Sequence, residues 1–221
     1  MKTSAAHALR VWVVPMAVAC TIGAGSPAAN APAPSLRLLA RATNPNPTLY
    51  SYTASAQLSA LLHAIVPIHE TFSGTVYYLR PNRKIEFQSV PSALSRFRDL
   101  ESTTPTYEQA TQQYVITPLS DNGTVSTYSL VPKKAGGRVK NVVISVSDAS
   151  ALLSQAQWNY TNRGSLTFGQ TYMSVGNYRL PATATISARF PDYRVDGTLT
   201  FTNYRPNAPV SPAVFASPSS H

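Results

Sequence analysis

Phe72–Val90 reads FSGTVYYLRPNRKIEFQSV, and this stretch decides the fold class. Val76-Tyr77-Tyr78-Leu79 is β-branched and aromatic, the composition of a strand. Arg80-Pro81-Asn82-Arg83 interrupts it with a proline and an asparagine, both turn formers. Lys84-Ile85-Glu86-Phe87-Gln88 then alternates polar and apolar, the period of a half-buried strand. The stretch therefore predicts a β-hairpin, with Arg80, Arg83 and Lys84 at a cationic, solvent-facing turn.

The same pattern runs outward in both directions. In Leu49–His63 the residues Tyr50, Tyr52, Ala54, Ala56 and Leu58 alternate with Ser51, Thr53, Ser55, Gln57 and Ser59. A period of two that strict outranks the helix propensity of Ala, Leu and Gln, so the segment is expected to be a strand. Further strands are expected at Gln112–Thr117, Thr124–Val131, Arg138–Ser147, Gln157–Thr161, Ser165–Val175, Tyr178–Arg189 and Tyr193–Tyr204. Asp121-Asn122-Gly123, Lys133–Gly137, Asn162-Arg163-Gly164 and Pro191-Asp192 supply the turns between them. Ser150–Gln155 is ambiguous. Ser35–Arg41 could make two helical turns, ended by Asn44-Pro45-Asn46-Pro47. Ser92–Leu100 predicts a short helix, with Leu94, Phe97 and Leu100 three apart, and Thr103–Thr111 a loop. Strands at hairpin spacing without alternating helices exclude a parallel sheet. No internal repeat argues for a propeller or solenoid. The class is mainly β, an antiparallel sheet of about eight or more strands with one or two short helices.

The chain has 221 residues, 43% hydrophobic and only 12% charged. Hydroxyl and amide side chains supply its polarity, which suits a two-faced sheet. Residues 1–31 read as an export signal: Lys2 and Arg10, then the apolar run Val11–Ala19, then the small-x-small site Ala29-Asn30-Ala31. The apolar run is too short to span a membrane. Cys20, the only cysteine, follows Ala17-Val18-Ala19, which loosely resembles a lipoprotein cleavage box; it is either a lipidation site or an ordinary leader residue. Beyond the leader there is no thiol for a disulfide, nucleophile or metal ligand. Losing Lys2 and Arg10 lowers the net charge from +9 to about +7. The expected division is signal peptide 1–31, linker with a short helix 32–47, a sheet domain 48–205 and a proline-rich, extended tail 206–221. The expected localisation is the periplasm or cell envelope, soluble or tethered through Cys20.

No catalytic constellation emerges. There is no G-x-S-x-G nucleophile elbow. His69-Glu70 are neighbours in a strand and so point to opposite faces. His63 and His69 share a parity but lack a third ligand, which zinc requires. Asp192 belongs to a turn and Asp196 to the face opposite Tyr193 and Val195, so they are not an opposed glycosidase pair. Basic residues at Arg80, Arg83, Lys84, Lys133, Lys134, Arg138 and Lys140 interleave with tyrosines, but they concentrate at turns, where solubility explains them better than nucleic-acid binding. Neither an enzyme nor a cofactor is expected.

The order of elements resembles the LolA/LolB-like family, the periplasmic lipoprotein carriers of Gram-negative bacteria. Tyr50–Ala56 resembles that family's first long strand. Gly74–Ile85 matches its glycine, apolar strand, basic-proline turn and second basic strand start. Tyr114–Pro118 and Tyr128-Ser129-Leu130-Val131-Pro132-Lys133 resemble later strands, and residues 35–205 are covered. The resemblance implies an incomplete antiparallel β-barrel covered by short helices. It also implies a non-enzymatic role, holding lipoprotein acyl chains or another lipid in an apolar cavity. On that model Tyr52, Leu58, Tyr78, Phe87, Ile116, Tyr128, Phe168 and Phe201 are expected to line the cavity. The expected partners are a lipid or lipoprotein acyl chain and an anionic membrane surface met by the basic turns, with no nucleic acid and a monomeric chain. The alternative is an envelope structural or sensory module with a filled core that binds a protein.

Overall fold

The computed structural model describes residues 35–63, 67–88, 99–103 and 105–216. The expected leader with Cys20 and most of the helix expected over 92–100 lie outside them. The strands are β1 (Ser51–His63), β2 (Ile68–Leu79), β3 (Asn82–Phe87), β4 (Asp99–Thr103), β5 (Tyr114–Asp121), β6 (Val125–Pro132), β7 (Val139–Ser147), β8 (Leu152–Tyr160), β9 (Ser165–Val175), β10 (Tyr178–Phe190) and β11 (Tyr193–Pro206). Two helices, α1 (Leu36–Ala42) and α2 (Tyr107–Gln113), and a 3-10 turn at Pro212–Phe215 complete the described elements.

The strands form one antiparallel sheet in the order β4-β3-β2-β1-β11-β10-β9-β8-β7-β6-β5. It is an open sheet with β4 and β5 as its edges. Every neighbouring pair but one is consecutive in sequence, as hairpin-spaced turns dictate. The exception joins β1 to β11, from Tyr52↔Pro206 to His63↔Arg194, with an irregularity between Thr53 and Ser55. That ladder ties the first strand to the last, and both are long because both lie in the middle of the sheet.

The hairpin expected at Phe72–Val90 is present as β2 and β3. Its turn is tighter than the sequence suggests. Leu79 pairs with Asn82, so only Arg80 and Pro81 lie outside the ladder. The solvent-facing turn expected for Arg83 and Lys84 is therefore corrected. Arg83 is half-buried on one face of β3, and Lys84 is buried on the other. Only Arg80 stays at the tip, where its guanidinium lies 5.5 Å from the centre of the Tyr50 ring and donates to the Asn46 and Pro47 carbonyls.

Three further expectations change. Leu100 belongs to β4 rather than to a helix, paired with Ile85. The loop expected at Thr103–Thr111 contains α2, whose Thr106 accepts from the Gln109 N–H while the Gln109 side chain accepts from the Thr106 N–H. Thr106-x-x-Gln109 is a capping box, legible in the sequence as Thr-Tyr-Glu-Gln. The tail expected to be extended turns at Pro212–Phe215, capped by Ser211. Ser150–Gln155 divides into a turn and the start of β8.

Two apolar clusters hold the fold. The first gathers Tyr52, Ala54, Ala56, Phe72, Val76, Ile85, Phe87, Leu199 and Phe201 from β1, β2, β3 and β11. The second gathers Tyr114, Tyr128, Leu130, Val142, Ile144, Val146 and Ala156 from β5–β8, with Leu39 of α1. Helix α1 packs on β7 and β8, and α2 on β5. Ser35 caps α1, accepting from the Arg37 N–H, and its own carbonyl accepts from the buried Tyr128 hydroxyl at 2.8 Å. The helix is thus fastened at its start and by its Leu39 knob.

Candidate functional site

Residues directly opposite in a ladder share a face, and alternate residues along a strand share it too. Following the pairs across the sheet gives one continuous face. Phe87 opposes Gly74, two residues from Val76 and four from Tyr78, and Tyr78 opposes Tyr52. Ala56 opposes Phe201, and Leu58 opposes Leu199. Leu199 opposes Ala184, next-but-one to Ile186, which opposes Phe168. Phe168 opposes Ala156, which opposes Ile144, which opposes Tyr128. Leu130, on the same face as Tyr128, opposes Ile116.

All eight residues singled out in the sequence therefore lie on one face of the sheet. They do not form a single group. Tyr52, Phe87 and Phe201 are buried in the first cluster, with Leu58, Tyr78 and Phe168 packed against it. Tyr128 is fully buried in the second cluster, with Ile116 against its side. Helix α1 lies over Tyr128. Between the clusters this face carries a band of half-buried apolar side chains: Leu58 and Leu62 on β1, Val195 on β11, Ile186 on β10 and Phe168 on β9. These side chains are less completely covered than those of the two clusters.

The face is not flat. Arg83 on β3 and Tyr172 on β9 are five strand spacings apart in the sheet order, about 24 Å if the sheet were flat. The Arg83 charge nevertheless counters the burial-driven rise of the Tyr172 hydroxyl pKa, as a sheet curled between them would allow. Strand twist and the ladder irregularities at Thr53/Ser55, Pro181/Thr183 and Ser145/Val146 favour such curling.

Arg83 is the functional candidate that sequence reasoning missed. A four-residue turn places it in solvent; the two-residue turn puts it on the inner face, in the same parity as Ile85 and Phe87. It opposes Tyr78 in the ladder, and it counters the burial-driven rise of the Tyr52 hydroxyl pKa. Tyr52 and Tyr78 stack at 4.9 Å between ring centres, and Tyr204 meets Tyr52 edge-on at 5.3 Å. Burial pushes the hydroxyl pKa values of Tyr52, Tyr172 and Tyr204 up, that of Tyr172 to about 12, and the Arg83 charge works against the rise at all three. These phenols stay protonated near neutral pH and can donate hydrogen bonds.

The opposite face is polar. His63 Nε2 lies 2.9 Å from Asp196 Oδ2, and Arg189 donates to both Asp196 oxygens at 2.7 and 3.0 Å. Burial raises the Asp196 carboxyl, but hydrogen bonds from Arg189, His63 and Ser187 and the Arg189 charge outweigh it, holding the pKa below the usual carboxylate range. His69 pairs instead with Ser59 at 3.1 Å. The aspartate and the serine thus engage different histidines, an arrangement that transfers no proton from Ser59 through a histidine to Asp196. Among the described residues no group of three His, Cys, Asp or Glu side chains is placed to hold a metal ion. No helix among them is long and apolar enough to cross a membrane.

An open, curled antiparallel sheet with an apolar inner face and short covering helices defines a half-barrel. Known structures share this fold. A domain assigned as an outer membrane lipoprotein-sorting protein from Vibrio parahaemolyticus superposes with a TM-score of 0.59 at 10% identity, covering 82% of this chain and 95% of that one. A LolA superfamily protein from Nitrosomonas europaea gives 0.57 at 8% identity, covering 82% and 97%. A DUF1329 family protein from Desulfovibrio piger gives 0.51 at 11% identity, covering 80% and 94%. The chain thus has the LolA-like fold that its sequence resembles. No protein-family model matches the chain, and no curated protein matches it in sequence.

Proposed function

We propose that this chain is an exported, non-enzymatic carrier that holds an acyl chain, or another hydrophobic ligand, on the inner face of its half-barrel. The observation that carries this reading is the half-buried apolar band of Leu58, Leu62, Phe168, Ile186 and Val195. A face serving only as core would bury those side chains. Covering them with a ligand removes apolar surface from water at about 25 cal/mol per Å². The two sides of the face then divide the work: the β5–β8 side, sealed by α1 and α2, is solid core, and the band beside the first cluster is the ligand surface. The leader at residues 1–31 and the shared fold of a lipoprotein-sorting domain support export and a lipid ligand.

The test is native mass spectrometry, with organic extraction, of the protein purified from its own host. A lipid or acyl-bearing adduct is the expected result. Recovery of a protein partner with no lipid would favour a filled envelope module and overturn the carrier reading.

A further inference from the structure

The sheet has two ends, and its antiparallel ladders sort the turns between them. The turns after β6, β8 and β10 share the end where β1 finishes at His63, and the turns after β2, β5, β7 and β9 share the other. The second end is tied down by the linker before β1. Arg80 donates to the Asn46 and Pro47 carbonyls there, and the Asn46 amide exchanges hydrogen bonds with the Arg179 backbone at 2.8 and 2.9 Å. Asp121 and Asp148 flank its turns.

The first end is basic. The turn after β6 carries Lys133, Lys134 and Arg138, the turn after β8 carries Arg163, and Arg194 follows the turn after β10. These side chains are exposed, and Asp192 is the one acid in the three turns. Two of the turns are held side by side, because the Thr161 N–H and hydroxyl both donate to the Arg138 carbonyl, at 2.7 and 3.1 Å. Arg189, at the same end, is already engaged by Asp196.

Beside these cations the inner face reaches its rim in apolar side chains. Leu62 opposes Val195 on one side and Ile68 on the other; Ile68 is exposed, and Leu62 and Val195 are half-buried. Phe190 opposes Tyr193 at the turn after β10, and their rings stack at 4.9 Å. Lysine and arginine attract anionic head groups, and aliphatic and tyrosine side chains suit the boundary between head groups and acyl chains. A soluble acidic protein would match the charge without calling for the apolar rim.

We propose that this end of the half-barrel docks on an anionic lipid bilayer, with the basic turns against the head groups and the rim of Leu62, Val195 and Ile68 toward the acyl boundary. The inference rests on the carrier reading and adds its partner: Leu62 and Val195 end the apolar band, so a lipid chain would pass between band and bilayer here. Of the basic turns, the one at Arg80 takes no part, since it lies at the opposite end.

The test is co-flotation with vesicles, using the exported protein with Cys20→Ser as the reference, so that no lipid on that residue contributes. Vesicles of phosphatidylcholine are compared with vesicles in which roughly a third of the lipid is phosphatidylglycerol. The anionic vesicles are expected to bind at least about tenfold more tightly, and added salt to weaken that binding. Lys133→Gln with Lys134→Gln is expected to weaken it about tenfold or more. Arg179→Gln with Arg205→Gln removes the same charge from the opposite end and is expected to change it less than about twofold. Equal affinity for the two vesicles overturns the cationic contact, and equal weakening by the two double variants overturns the choice of end. Capture by soluble poly-glutamate without vesicle binding overturns the bilayer in favour of an acidic polypeptide. If lipid co-purifies with the protein while neither vesicle binds it, the docking is overturned and the carrier reading stands. The comparison of vesicles needs no charge variant, so a poorly folding one does not decide the outcome.

Discussion

Lys84 on β3 and Val214 in the C-terminal 3-10 turn are joined by a hydrogen bond: Lys84 Nζ donates to the Val214 carbonyl at 2.9 Å and lies 2.9 Å from Glu86 Oε1. The side chain is almost fully buried, so the tail is part of the fold and covers the outer face of β3 beside the edge of the sheet. Lys84→Ala removes a charged donor and the packing of its stem. It is expected to cost about 1–3 kcal/mol in urea unfolding. It is also expected to speed amide exchange at Val214 and Ala216, whose N–H groups hold the turn. Unchanged exchange there would show that the tail is held by other contacts.

Tyr114 predicts a gain. It is 1% exposed, and its hydroxyl has no hydrogen-bond partner among the described residues. Burial raises its pKa to about 12. A buried hydroxyl without a partner carries a desolvation penalty of roughly 1–3 kcal/mol. Tyr114→Phe keeps the ring and is expected to raise the thermal midpoint. A fall would reveal a partner for the hydroxyl.

Asp196 predicts a pH dependence. Its folded pKa lies below the usual range for an aspartate, so its ionised form is favoured by folding. The stability it contributes is fully present above the unfolded pKa and is lost as pH falls through the folded one. The difference in unfolding midpoint between wild type and Asp196→Asn is expected to be largest near about pH 7 and to shrink steadily below about pH 4. A difference that is the same at both ends would remove Asp196 from the acid response.

Gly74 predicts a steric cost. A Cβ there would press on the Glu86 carbonyl oxygen and come within 3.0 Å of Phe87 Cδ1. Both neighbours belong to the paired strand β3, where backbone cannot give way cheaply. Gly74→Ala is expected to cost about 1–3 kcal/mol in chemical unfolding. A neutral result would mean that β2 and β3 separate more readily than their ladder suggests.

Leu58 tests the ligand surface. It is half-buried beside the first cluster, so a charge there can remain hydrated while spoiling the apolar band. Leu58→Glu is expected to keep the far-UV circular dichroism of the wild type and to lose co-purifying lipid. Retained lipid would place the ligand elsewhere.

Much of the fold could be read from the chain because a strand writes its period locally. Tyr52, Ala54, Ala56 and Leu58 declare one face within seven residues, and Asp121-Asn122-Gly123 marks a turn without reference to anything distant. Helix α2 was equally local, in the box Thr106-x-x-Gln109, although the hydroxyl- and amide-rich segment reads as loop when only apolar spacing is weighed. The common face of the eight candidate residues followed from parity alone.

Arg83 was not legible in this way. Its place depends on whether the turn after Leu79 takes two residues or four, and a shift of two positions moves it from solvent into the ladder. The tyrosines whose hydroxyl pKa values its charge affects were further out of reach: Tyr52, Tyr172 and Tyr204 lie 31, 89 and 121 positions away in the chain. The sequence by itself determined the strands, their turns and the side of the sheet that each apolar residue takes, since these follow from nearest-neighbour sterics and burial. Only the tertiary structure decided which part of that side is sealed by helices and which stays half open. It also decided that Arg83 faces inward opposite Tyr78, because the length of the turn after Leu79 sets the ladder register.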